Sequence, residues 1–190
     1  MRVITRLVGT SPLLQHNIQL ANPDNEWSRR ISGITAKRKK TEDDRQAISR
    51  LEFQGSLYVD GGRVVVPTTN VRKCFQETAK VTRQGKQITR AVNAVNLNVP
   101  LVYDGPQDVE SLVDDQTFYD TTMVGVGTKR VVRTRPIFRS WALSVEWEIV
   151  TEAMDYDDFL KIVELAGTIE GLGDNRTGGY GRFTAEVKAA

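Results

Sequence analysis

Apolar residues recur at two spacings along the chain, and each spacing predicts an element. Val3, Ile4, Leu7 and Val8 lie among polar neighbours and predict a strand over 2–9. Thr10-Ser11-Pro12 ends it, because proline brings no N–H to a ladder. Trp141, Leu143, Val145, Trp147 and Ile149 recur at every second position and predict a long strand over 141–150 with one buried face. Val71, Cys74 and Phe75 fall at helical spacing after Pro67-Thr68-Thr69, which predicts a helix over 68–79. Phe159, Ile162, Val163 and Ala166 predict another over 156–166, capped by Asp155 and ended near Gly167. A last strand follows over 182–187.

Shorter signals fill the intervals. Thr41-Glu42-Asp43-Asp44 reads as the start of a helix to about Phe53, with acids in its first turn. Asp60-Gly61-Gly62 joins short strands 56–59 and 63–66 as a hairpin. Residues 97–103 read as a strand, and 123–126 with 130–133 as a second hairpin turning at Gly127-Thr128. Residues 13–40 read as mostly irregular, with a short helix around Trp27, and 80–90 show no apolar face. The order strand, helix, strand-rich middle, strand, helix, strand is a split β-α-β. The expected fold is α+β: a ferredoxin-like, RRM-like antiparallel sheet with helices on one face and β-hairpin and loop insertions. Folds of this kind hold single-stranded nucleic acid on the free face of the sheet or at its edges.

Length and composition suit one soluble domain over 1–190. No apolar run is long enough to span a bilayer, and the first residues lack signal-peptide character, so a cytoplasmic protein without a membrane partner is expected. One cysteine fits a reducing compartment, and one cysteine with one histidine speaks against a zinc site. Neither metal nor cofactor is expected. Cys74 reads as a core residue.

Net charge is only +2, but the charges segregate. Residues 104–120 carry Asp104, Asp108, Glu110, Asp114, Asp115 and Asp120 with no base. Bases cluster at Lys37, Arg38, Lys39 and Lys40, at Arg72, Lys73, Lys80, Arg83, Lys86 and Arg90, and at Lys129, Arg130, Arg133, Arg135 and Arg139. Arg133 and Arg135, two apart on a strand, share a face. Such a chain suits a polyanion, head-to-tail packing of copies, or both. Gly171 to Phe183 holds five glycines in thirteen residues, with Arg176, Tyr180 and Arg182 among them. Glycine permits close approach and arginine matches phosphate, so the loop reads either as an anion cradle or as a tight turn that carries charge.

Three motifs also carry a family resemblance: Val8-Gly9-Thr10-Ser11-Pro12-Leu13, Val65-Val66-Pro67-Thr68-Thr69-Asn70-Val71-Arg72-Lys73 and Gly178-Gly179-Tyr180-Gly181-Arg182-Phe183. In this order the chain resembles the RAMP superfamily, whose members form the crRNA-binding backbone of CRISPR effector complexes. The resemblance makes 13–55 and 80–139 the variable insertions. It implies nucleic-acid contacts at Arg72, Lys73, Arg176, Tyr180 and Arg182, and subunits stacked along the strand as a homo-oligomer or filament.

Charge and resemblance together point to sequence-nonspecific binding of single-stranded RNA or DNA. Phosphate contacts come from the basic clusters and base stacking from Tyr180, with Trp27, Phe138, Trp141 and Phe183 as further aromatics. Trp141 and Phe183, at alternating strand positions, also read as core. Two other classes stay open. An endoribonuclease of the same superfamily would use His16, placed after the first strand where RNA-cleaving relatives can hold a base, or Asp24, where others hold an aspartate. Asn22-Pro23-Asp24-Asn25 is also explained as a turn. A protein-interaction module would use the acidic and basic faces without nucleic acid.

Overall fold

The computed structural model describes every residue except Thr128, together with all their side chains but those of Val126 and Lys129. The expected turn residue Thr128 and the Lys129 side chain therefore lie outside it. In chain order the strands are β1 (Arg2–Gly9), β2 (Leu13–Leu14), β3 (Val59–Asp60), β4 (Arg63–Pro67), β5 (Val92–Ala94), β6 (Asn98–Pro100), β7 (Val102–Tyr103), β8 (Tyr119–Val126), β9 (Lys129–Phe138), β10 (Trp141–Ile149) and β11 (Phe183–Ala189). The α-helices are α1 (Glu26–Thr35), α2 (Glu42–Ser56), α3 (Thr68–Thr78), α4 (Gly85–Ala91), α5 (Val109–Asp114) and α6 (Tyr156–Ile169).

The central sheet runs β11-β1-β10-β5, with β7 also paired to β10, and these pairings are antiparallel. With α3 and α6 as its helices this is the ferredoxin-like order, as the spacing predicts. Pairing of Val3 with Trp147, Thr5 with Val145 and Leu7 with Leu143 puts the apolar positions of β1 and β10 on one face. Phe75 of α3 and Phe159 of α6 close over that face, and the Phe75 ring lies 5.6 Å from Trp147 and 6.1 Å from Phe159. Trp147 donates its Nε1–H to Thr5 Oγ1, which satisfies the polar edge of a fully buried ring.

The opposite face carries Arg2, Ile4, Arg6 and Val8 on β1, next to Ser144, Glu146 and Glu148 on β10 and Thr184, Glu186 and Lys188 on β11. None of these is aromatic, and Arg2 reaches both Glu146 and Glu148. The face is a charged, self-paired surface and offers bases nothing to stack on.

Several elements differ from expectation. Residues 13–40 are more ordered than their polar pattern suggests: Asn25 caps the ten-residue α1 by accepting from the Trp27 N–H. The stretch 80–139, read as inserted, supplies β5 and β7 to the central sheet. α4 buries Gly85, Ile88 and Ala91, a face too short to show periodicity. The strand expected over 97–103 divides, because β6 pairs with β4 and β7 with β10. The second hairpin is longer than expected, with register from Val126↔Lys129 down to Tyr119↔Pro136.

α2 packs beside this hairpin. Phe53 stacks on Tyr119 at 4.1 Å between centroids, and Ser49 Oγ and Thr134 Oγ1 lie 2.8 Å apart. Thr41 and Asp44 complete a capping box at the start of α2.

Candidate nucleic-acid interface

The three motifs of the resemblance, far apart in sequence, meet in space. Ser11 is the junction. Its hydroxyl donates to Gly179 O at 2.8 Å and accepts from the Arg182 N–H at 2.8 Å, while its carbonyl accepts from Trp141 Nε1. The Gly181 N–H donates to Pro12 O, the Leu172 N–H to Gly181 O and the Asp174 N–H to Leu14 O. The glycines make this closeness possible. Gly181 has φ +69°, and a Cβ there would lie 1.7 Å from Leu172 O. A Cβ at Gly173, φ +80°, would lie 2.3 Å from Leu14 O.

The second motif faces the same place. β4 ends at Pro67, the N-cap of α3, and among the described residues no side chain caps the first turn of that helix. Asn70 and Lys73 of α3 line a cavity of about 220 Å3 that Gly171, Gly173 and Arg176 of the glycine-rich loop also line. A larger cavity of about 860 Å3 adjoins it, with Arg133 and Arg135 of the hairpin against Arg176 and Tyr180 of the loop. A third of about 430 Å3 extends toward α1, past Arg133. His16 lines all three, and Arg176 the first two. Together they form one groove between α3, the glycine-rich loop and the hairpin.

Each groove cation is held by a carboxylate. Lys73 pairs with Glu77 at 2.7 Å, Arg176 with Glu170 at 3.2 Å, and Arg133 with Glu52 at 2.6 Å. Lys73 and Lys80 together hold the Glu77 carboxyl down at about 2. Arg135 is almost wholly buried: its Nη1 donates to Asp174 at 2.7 Å and its Nη2 to Thr122 at 3.1 Å, while its Nε–H has no partner among the described residues. Burial works against the Asp174 charge, but hydrogen bonds from Arg135 and the Asn175 backbone outweigh it, so its pKa lies below 3.8. Around His16 the crowding walls desolvate the ring and lower its pKa below 6.5; Asp174 opposes the drop, and Arg135 and Arg133 add to it. The shift favours the neutral imidazole. Its Nδ1 lies 3.4 Å from Ser56 Oγ.

Among the expected contact residues, the groove gathers Lys73, Arg133, Arg135, Arg176 and Tyr180, together with His16. Arg182 stands behind the loop and donates to Thr168 O and Arg176 O, so it braces Arg176. Arg72, Arg130, Lys80, Arg83, Lys86 and Arg90 line none of the three cavities. Lys37, Arg38, Lys39 and Lys40 form the exposed link between α1 and α2, where Lys37 pairs with Asp44 at 2.5 Å. Asp24 sits in an exposed turn, its N–H bonded to Asn22 Oδ1, and also lines none of the three. Phe138, Trp141 and Phe183 are core residues and cannot stack on bases. Cys74 is core as well, with burial pushing its thiol up to about 12.

Sequence reasoning missed the partners. Glu52 reads as one more polar residue of a helix, yet it is 4% exposed. Gln15, also buried, donates to Val65 O and accepts from the Tyr58 N–H, which fixes the chain just before His16. Tyr58 and Asn70 carry no signal that sets them apart from other turn and helix residues.

No family model and no curated protein matches the chain. Solved structures do. Over 99% of its length the chain superposes on a chain of type III-B Cmr-beta bound to cognate target RNA, with TM-score 0.55 and 9% identity. It spans 61% of that chain's length. A type IV-B CRISPR complex superposes with TM-score 0.51 and 8% identity, covering 100% of this chain and 91% of the other. The chain shares its fold with these chains of CRISPR complexes. Cmr4 is a weaker likeness, with TM-score 0.46 and 9% identity over 100% of both chains. At such identities the likeness lies in the path of the backbone, and what this chain binds must be argued from its own side chains.

Proposed function

We propose that residues 1–190 act as one RAMP-like domain that binds a single strand of RNA or DNA without reading its sequence, and that copies assemble along the strand. The observation that carries this reading is the groove itself. Three sequence-distant elements bring Lys73, Arg133 and Arg176 to its walls, with Tyr180 among them. Cations at intervals supply phosphate contacts whatever the base, and a half-buried tyrosine supplies a stacking surface. The charged open face of the sheet leaves the groove as the better place for a strand. The target RNA in the Cmr-beta structure supports the same reading.

A gel shift with labelled single strands at two salt concentrations tests it. A shift at low salt that weakens at high salt is expected, and no shift at low salt refutes the reading. Size exclusion with a long oligonucleotide tests assembly: oligomers that persist after nuclease treatment point instead to docking between protein faces. A second reading, RNA cleavage with His16 as general base, draws on its place in the lining of all three cavities. Cutting that survives His16→Ala removes that role.

A further inference from the structure

The 220 Å3 cavity differs in kind from the rest of the groove. Its floor is apolar core: Leu13, Val66, Cys74 and Leu172 are each nearly or fully buried. Tyr58 and His16 also line it: the Tyr58 hydroxyl donates to the His16 backbone carbonyl at 3.4 Å, Gln15 Oε1 accepts from the Tyr58 backbone N–H, and His16 Nδ1 lies 3.4 Å from Ser56 Oγ. Asn70 adds an amide, and Lys73 and Arg176 add cations. The volume is below the roughly 300 Å3 at which drug-sized pockets begin.

An apolar floor, aromatic flanks, an amide able to meet a base edge and cations suited to a phosphate are the parts that one nucleotide requires. We propose that this cavity takes a single nucleotide unit, its base over the Leu13, Val66 and Leu172 floor beside Tyr58, and its phosphate toward Lys73 and Arg176. The inference deepens the strand-binding reading and rests on it for the source of the nucleotide. A strand running past Arg133 and Arg176 would turn one base inward here while its neighbours stay at the surface. A free nucleoside monophosphate presents the same chemistry.

Affinity of the full chain for an intact oligonucleotide is compared with affinity for an abasic strand of equal length, and a mixture of the four nucleoside monophosphates is titrated separately. The intact strand is expected to bind about tenfold more tightly, the scale of one stacked base. Asn70→Phe, which fills the cavity, should lower that ratio to what stacking on Tyr180 alone supplies. Asn70→Ala, a mild change on a helix, should lower it by removing the amide, and so guards against misfolding of the larger variant. Equal binding of intact and abasic strands, with no uptake of monophosphates, overturns the pocket and leaves the groove reading standing. Uptake of monophosphates without strand binding, lost in Asn70→Phe, supports the pocket and refutes the strand. Binding of neither overturns both.

Discussion

Glu52 accepts from the Arg133 guanidinium at 2.6 Å and from the Thr134 N–H at 2.8 Å, both at the edge where α2 meets the hairpin. Removing that carboxylate leaves a buried N–H unsatisfied and frees Arg133. Glu52→Ala is expected to cost about 1.5–3 kcal/mol in urea unfolding. Glu52→Gln keeps an oxygen for Thr134 and should cost less; equal losses would deny that bond its part. His16 gives a pH signature. Its folded pKa lies below 6.5, so the unfolded chain takes up the proton first as pH falls. Stability should therefore decline on acidification through the range just below 6.5, and His16→Gln should flatten that decline. Asp174, depressed in the fold, adds a separate loss below 3.8 as its carboxylate is protonated. Neither effect is legible in the sequence, because both depend on residues brought in from distant parts of the chain.

Among the elements, the glycine-rich loop owes its composition first to packing. Gly181→Ala puts a methyl into Leu172 O at a positive φ, so a loss of at least about 1–3 kcal/mol is expected in thermal unfolding. Gly33 is the contrast: on α1, where a Cβ would meet nothing within 4 Å, Gly33→Ala should stabilise by about 0.5–1 kcal/mol. A loss at Gly33 or none at Gly181 would contradict the packing described. Long, regular elements could be read from the chain because periodicity needs several turns or pleats to register. β10 and α6 show it; β5, three residues long, and α4, seven long, do not. The cations could be read as types, yet which of them converge depends on α3, the glycine-rich loop and the β8–β9 hairpin meeting at one groove.

For the whole molecule, charge patterning pointed to opposite faces, and the fold instead interleaves acids with bases at the groove. Three strand contacts, from Lys73, Arg133 and Arg176, give a salt slope near −2 for single strands, so affinity should fall about 20-fold between 50 and 200 mM salt. A much steeper fall would bring in the Lys37 to Lys40 link or the Lys80 to Arg90 cluster as further contacts. The pairing of each groove cation with a carboxylate also has a kinetic meaning. Lys73 with Glu77, Arg133 with Glu52 and Arg176 with Glu170 act from afar as dipoles, whose fields decay faster than those of bare charges. A strand would meet little long-range attraction and would find its charges only on arrival. Stopped-flow association should then run near the unsteered rate of about 10^5–10^7 M⁻¹s⁻¹, with most of the salt dependence in the dissociation rate.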